Sequence, residues 1–246
     1  MQQNIRESAD FERAVKALFL VEGGFSNDPK DAGGKTRCGI TEAVALANGF
    51  GGRMEELSRE EAARIAKSQY WDVLRLDVIS SFSYPVAYEL LDTGYHCGVG
   101  TAGRFLQRAL NALNRLGQDY EDLTADGVVG PMTVRAVKRY LQLHPTNGEK
   151  VLLRALNALQ GAYYIDISVT RPASERFEFG WFLNRVEVGS GQGFADRAEG
   201  VAGVEAVQGG SDGGRRGSGD IPGGPCRTRG QAGDPGVGLD RDLPFR

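Results

Sequence analysis

The groups that could do acid–base chemistry gather near the N-terminus. Glu22 closes an apolar helical run, LFLVE, and two glycines follow it. Asp28 and Asp31 come next, in a polar stretch, and Thr36 and Thr41 close that stretch. Leu18 and Phe19 lie one helical turn before Glu22. A carboxyl group in that setting is partly desolvated, which disfavours its charged form and raises its pKa. The negative end of a helix pushes the same way, modestly. A carboxyl that keeps its proton near neutrality can act as a general acid. Asp28 and Asp31, in a polar loop, are expected to stay ionised. A protonated acid facing an ionised carboxylate across a cleft is the pair that cleaves glycosidic bonds. Thr36 and Thr41 offer hydroxyls to orient a water or a sugar. On spacing alone the plainer alternative weighs more: a solvated Glu22 at a helix end, with aspartates that cap turns.

Helical periodicity supplies the frame. Asp10 is a candidate N-cap, with Phe11, Ala14, Val15, Leu18, Phe19 and Glu22 on one face. Gly23-Gly24 ends that helix, because glycine takes the left-handed C-terminal conformation cheaply. Asn27-Asp28-Pro29 and Gly33-Gly34 are turn signals. Short strand-like pieces are expected from Thr36 to Ile40. Thr41 then caps a helix to about Asn48. Ser58 with Glu61 is a capping-box pattern opening a helix from Arg59 to Tyr70-Trp71. Pro85 starts the next, which carries Val86, Leu90 and Leu91. The stretch Asp92 to Gly98 separates it from a helix over Thr101 to Leu116. Asp126 to Gly130 reads as a turn, and Pro131 begins a helix to Leu143. A long helix follows from Gly148 to Ile167, then a short piece with Phe179, Trp181, Phe182 and Leu183.

Composition narrows the function classes. The chain has 246 residues and a formal net charge of -3, which argues against a bulk electrostatic grip on nucleic acid. Cys38, Cys97 and Cys226 have no CxxC spacing and are odd in number, which argues against a disulfide framework or zinc site. His96 and His144 lack partners at ligand spacing, so no metal is expected. No apolar run has the length of a membrane span, and no secretory signal opens the chain. Gly98-x-Gly100-x-x-Gly103 fits a dinucleotide pattern, but no strand precedes it. It reads as a loop before a helix. About half of the 35 glycines follow Val188, among few large apolar groups. Such a tail cannot offset its ordering entropy and is expected to be disordered.

The stretch EGGFSNDPKDAGGKTRCGIT resembles the EGGY-x-x-DPxDxGGxTxxGIT signature of glycoside hydrolase family 108, bacterial and phage N-acetylmuramidases. Phe25 stands where tyrosine is usual. Tyr70-Trp71 is similar to the family's YW. LLDTGYHCGVGTAGRFLQRALN resembles its D-x-x-x-N-x-G…A…LQ segment, with His96 where asparagine is common. DGVVGPMT and GWFLNRV resemble the peptidoglycan-binding module that follows the catalytic part. The likeness runs from Phe11 to Val186.

That resemblance implies a mainly α fold. A lysozyme-like catalytic lobe would occupy residues 1–85, a helical peptidoglycan-binding lobe 86–187, and the tail 188–246. It implies Glu22 as the catalytic acid, with Asp31 and Thr36 completing a Glu–Asp–Thr set and Asp28 as rival second carboxylate. Asp28, Thr41, Tyr70, Trp71 and His96 become candidate substrate-binding residues. For Tyr70-Trp71 a core role, and for His96 a buried satisfied histidine, remain alternatives. The implied reaction is hydrolysis of the β-1,4 bond between N-acetylmuramic acid and N-acetylglucosamine, with no cofactor or metal. The expected partner is the glycan strand of peptidoglycan, met by a monomer that contacts neither nucleic acid nor the membrane interior. A chain made in the cytoplasm without a signal would reach the periplasm or wall through a holin or export system. That suits an endolysin or a muramidase serving secretion. Two rivals stand: a lytic transglycosylase using Glu22, and a non-catalytic wall-binding secretion accessory.

Overall fold

A computed structural model describes the backbone of residues 2–22, 24–27 and 34–186, and within these the side chains from residue 9 on, except 21 and 22. The expected disordered tail lies outside the described residues. The fold is mainly α, as expected. Helix α1 spans Gln2–Glu22 and meets a three-stranded antiparallel meander: β1 Phe25–Ser26, β2 Thr36–Arg37 and β3 Ile40–Thr41. Then come α2 Glu42–Ala47, α3 Arg59–Ala66, α4 Leu76–Ser80 and α5 Tyr84–Cys97. The chain continues through α6 Val99–Ala112, α7 Pro131–Leu143, α8 Gly148–Thr170 and α9 Glu175–Arg185.

The caps read from sequence hold. Thr41 caps α2 and the Ser58–Glu61 capping box opens α3. Pro85 and Pro131 sit in the first turns of α5 and α7. Two boundaries differ. Asp10 lies inside α1, not at its N-cap. The upstream residues hold good helix formers and no glycine or proline, so propensity carries the helix beyond the apolar stripe. The chain also does not break at Asp92, because α5 runs to Cys97 and ends where Gly98 turns to φ +94°. Gly94 suggests a turn in the sequence. In the fold it admits a neighbour instead: a Cβ there would stand 2.9 Å from Leu74 Cδ1.

Helix α5 is the axis of the molecule. Every residue from Val86 to Cys97 is buried, as expected of a helix surrounded by others. It packs against α1, α4, α6 and α8. A single apolar cluster runs from Phe11 in α1 to Leu156 in α8, so the expected boundary at residue 85 falls in the first turn of a helix shared by that core. A second cluster docks α9. Trp181 packs at a tilt against Tyr164 and meets His96 edge-on. Beside it Arg185 pairs with Asp92 of α5, both buried.

The long connection after α6 buries Leu123 and Val129 in the core and is tied down by side-chain amides. Gln107 Nε2 donates to Asp126 Oδ1 at 2.8 Å, and the Gly127 amide donates back to Gln107 Oε1 at 2.8 Å. The bond from Gln107 Nε2, with that from the Val128 amide, keeps the Asp126 carboxyl below its usual pKa. One turn on, Asn111 exchanges two bonds with the Leu123 backbone. Asn114 does the same with Tyr120. The last glycine of the GxGxxG pattern, Gly103, finds its explanation here. A Cβ on Gly103 would lie 2.1 Å from the Gly127 carbonyl oxygen, and one on Gly127 would lie 2.5 Å from that of Gly100. The glycines let a turn lie directly on α6. Gly103→Ala is therefore expected to cost about 1–3 kcal/mol, as overpacking does, seen as a lower urea midpoint with an unchanged slope.

Candidate active site

The acid candidate is fixed through the backbone. Glu22 is the last residue of α1. Two residues on, the Gly24 carbonyl accepts from the Cys38 amide at 3.4 Å. Two residues of chain reach at most about 7 Å, so the α-carbon of Glu22 lies within that distance of Gly24 and hence beside the β2–β3 hairpin. Asp28 and Asp31 belong to the connection between β1 and β2 and lie outside the described residues. Its two ends are defined, since Ser26 pairs with Thr36 across the first two strands.

The hairpin carries both threonines on one face. Thr36 pairs with Thr41, and Arg37 with Ile40. In a two-residue hairpin the pair next to the loop exchanges hydrogen bonds and the next does not. The Glu42 amide donates to the Lys35 carbonyl at 2.9 Å, which restores the bonding at the third pair. Thr36 and Thr41 are therefore a non-hydrogen-bonded pair. In such pairs the α-carbons approach to about 4.5 Å and the side chains lie closest. Both are buried. Thr41 Oγ1 accepts from the Val44 amide at 3.3 Å as the α2 cap. Its own hydroxyl proton can still be donated.

The loop residues are Cys38 at φ +50° and Gly39 at φ +71°. Positive φ at both centres is the twist-matched hairpin turn, which favours Asn-Gly or Gly-Gly. Cysteine in this conformation is unusual. The turn is buried, and the Tyr95 hydroxyl donates to the Cys38 carbonyl at 2.6 Å. Arg37 Nε donates to the Leu57 carbonyl at 2.7 Å and ties the other side of the hairpin to the start of α3.

Three candidate substrate-binding residues are core residues instead. Tyr70 is 4 % exposed and Trp71 1 %, and the rings of both pack on other core rings. They lie in a wide, π-type turn that follows α3. Tyr70 packs on Tyr95 with centroids 4.6 Å apart, and Trp71 meets Phe11 edge-on at 5.4 Å. The apolar body of each ring drives it inward. His96 is 1 % exposed, and its Nδ1 lies 3.0 Å from the Tyr164 hydroxyl, in the cluster that docks α9. It is the buried, satisfied histidine. Among the described residues no group of three or more His, Cys, Asp or Glu could hold a metal.

Tyr95 is the residue that sequence reasoning missed. It falls in the stretch Asp92 to Gly98, which the sequence reading placed between two helices. The available signal was Cys38-Gly39 as a hairpin loop, whose carbonyls need a partner once the turn is buried.

Residues 15–98 match the family model described as Glycosyl hydrolase 108. This stretch of the chain is similar to glycosyl hydrolase family 108. Residues 101–186 match the model described as Predicted Peptidoglycan domain. The glycosyl hydrolase 108 part thus takes in α5, and the peptidoglycan domain runs from the first turn of α6 through α9. SagA of Brucella abortus, a solved structure, has a TM-score of 0.51 and 23% identity, covering 79% of this chain and 92% of that one. It shares the fold. No curated protein matches the chain. The two matches together support a peptidoglycan hydrolase. No described helix is long and apolar enough to cross a membrane.

Proposed function

We propose that the protein is an N-acetylmuramidase in which Glu22 protonates the leaving oxygen. The observation that carries this is the bond from the Cys38 amide to the Gly24 carbonyl. It brings the end of α1 to the hairpin that pairs Thr36 with Thr41. The end of the helix that carries Glu22 and the paired Thr36 and Thr41 then lie at one hairpin. Asp31 supports the positive charge that develops on the sugar ring, with Asp28 as the rival. Thr36 places the water, and Thr41 contributes its remaining proton to a sugar oxygen. Acid, base and water suffice for this hydrolysis.

The peptidoglycan domain would hold the substrate while the acid works on one bond. A soluble lytic enzyme released by a holin or an export system is the biological setting this fits, and a monomer meets its needs.

The new chain ends left in digested wall identify the bond. Borohydride reduction of fragments from purified sacculi, followed by mass spectrometry, is expected to give muramitol ends. Glucosaminitol ends would mean cleavage of the other glycosidic bond. A 1,6-anhydro end would mean a lytic transglycosylase, which needs the acid but no water. Wall that sediments with the protein and stays undigested would mean a binding accessory.

A further inference from the structure

We propose that Tyr95 is a positioning residue for the active-site hairpin and through it for Glu22. The inference rests on the reading of Glu22 as the acid, and it adds a residue to that machinery. Cys38 holds a left-handed backbone at φ +50° without being glycine. Such a residue persists only where its surroundings over-determine it. Both of its backbone polar groups are engaged. The amide reaches Gly24, two residues from Glu22, and the carbonyl takes the Tyr95 hydroxyl at 2.6 Å.

Tyr95 is itself held from two sides. It is 1 % exposed in the central helix α5, and its ring packs on Tyr70 at 4.6 Å. Tyr70 comes from the π-type turn between Lys67 and Trp71, a feature that often occurs beside functional sites. A rigid chain therefore runs from the core through Tyr70 and Tyr95 to Cys38 and Gly24. Its last member fixes where α1 ends. Locking the groups next to the chemistry from behind is what catalytic precision requires. A misplacement of about 1 Å can lower a rate about 10²-fold.

Tyr95→Phe keeps the ring and removes one hydroxyl. On soluble glycan oligomers its kcat is expected to fall roughly ten- to hundredfold with KM nearly constant. Amide exchange should quicken at residues 36–41 and stay unchanged in α5 and α6. Cys38→Gly, added to Tyr95→Phe, should recover much of the lost kcat, because glycine holds a positive φ without steric cost. Wild-type kcat in Tyr95→Phe would overturn the proposal. So would exchange that quickens throughout the molecule or not at all, or a loss that Cys38→Gly does not recover. Full activity in Glu22→Gln would instead remove the acid assignment. The exchange pattern of Tyr95→Phe would then still report on the anchor, so the two failures are distinct.

Discussion

Glu22→Gln is expected to abolish clearing of wall suspensions while the protein still sediments with the wall. The amide has the shape of the acid and no proton to give. General acid catalysis contributes about 10²–10⁴-fold, so the rate should fall by roughly 10³-fold. Binding should persist because the peptidoglycan domain covers residues 101–186, well apart in sequence from the end of α1. The fold should persist too, since Glu22 terminates its helix and is followed by glycine rather than by core residues. Clearing is read by turbidity and binding by co-sedimentation. Undiminished clearing would remove Glu22 from the chemistry. Loss of both would say that the change had damaged the fold.

The second large effect is on stability. Arg185 of α9 and Asp92 of α5 form an ion pair with side chains only 3% and 10% exposed. Arg185→Met fills much of the space but strands a carboxylate in the interior. Breaking a buried pair from one side typically costs about 3–5 kcal/mol. Domains of ordinary size have about 5–15 kcal/mol in all, so this is a large share. A fall in Tm of roughly 10 °C follows for a chain of this length, at about 2–4 °C per kcal/mol. Asp92→Asn combined with Arg185→Met should recover part of the loss, because no charge is then left alone. Thermal unfolding of the single and double variants measures both. A single variant as stable as the parent would show that the pair does not hold α9 to α5.

The sequence pointed to the frame, and to Glu22 as the candidate acid, for reasons that can be named. Ser58 with Glu61, Thr41, Pro85 and Pro131 are local signals, and each acts where local chemistry predicts. Glu22 was visible because two glycines stop its helix. Tertiary contacts decided the rest. The stretch Asp92 to Gly98 looked like a break, yet it is helical to Cys97, and Gly94 within it lets Leu74 approach α5. Tyr70, Trp71 and His96 looked like binding groups because aromatic and imidazole rings serve both cores and sites. Their packing on other core rings tells the two apart. Tyr95 could not be assigned without knowing that a buried carbonyl at Cys38 lies within its reach.

The role of Glu22 is tested most directly with a leaving group that needs no proton. Two chito-oligosaccharides are compared, one with a natural sugar leaving group and one with dinitrophenolate. Glu22→Gln is predicted to lose roughly 10³-fold on the first and to stay within about tenfold of the parent on the second. Equal losses on both substrates would contradict the account, because the glutamate would then be doing something other than protonating the departing oxygen.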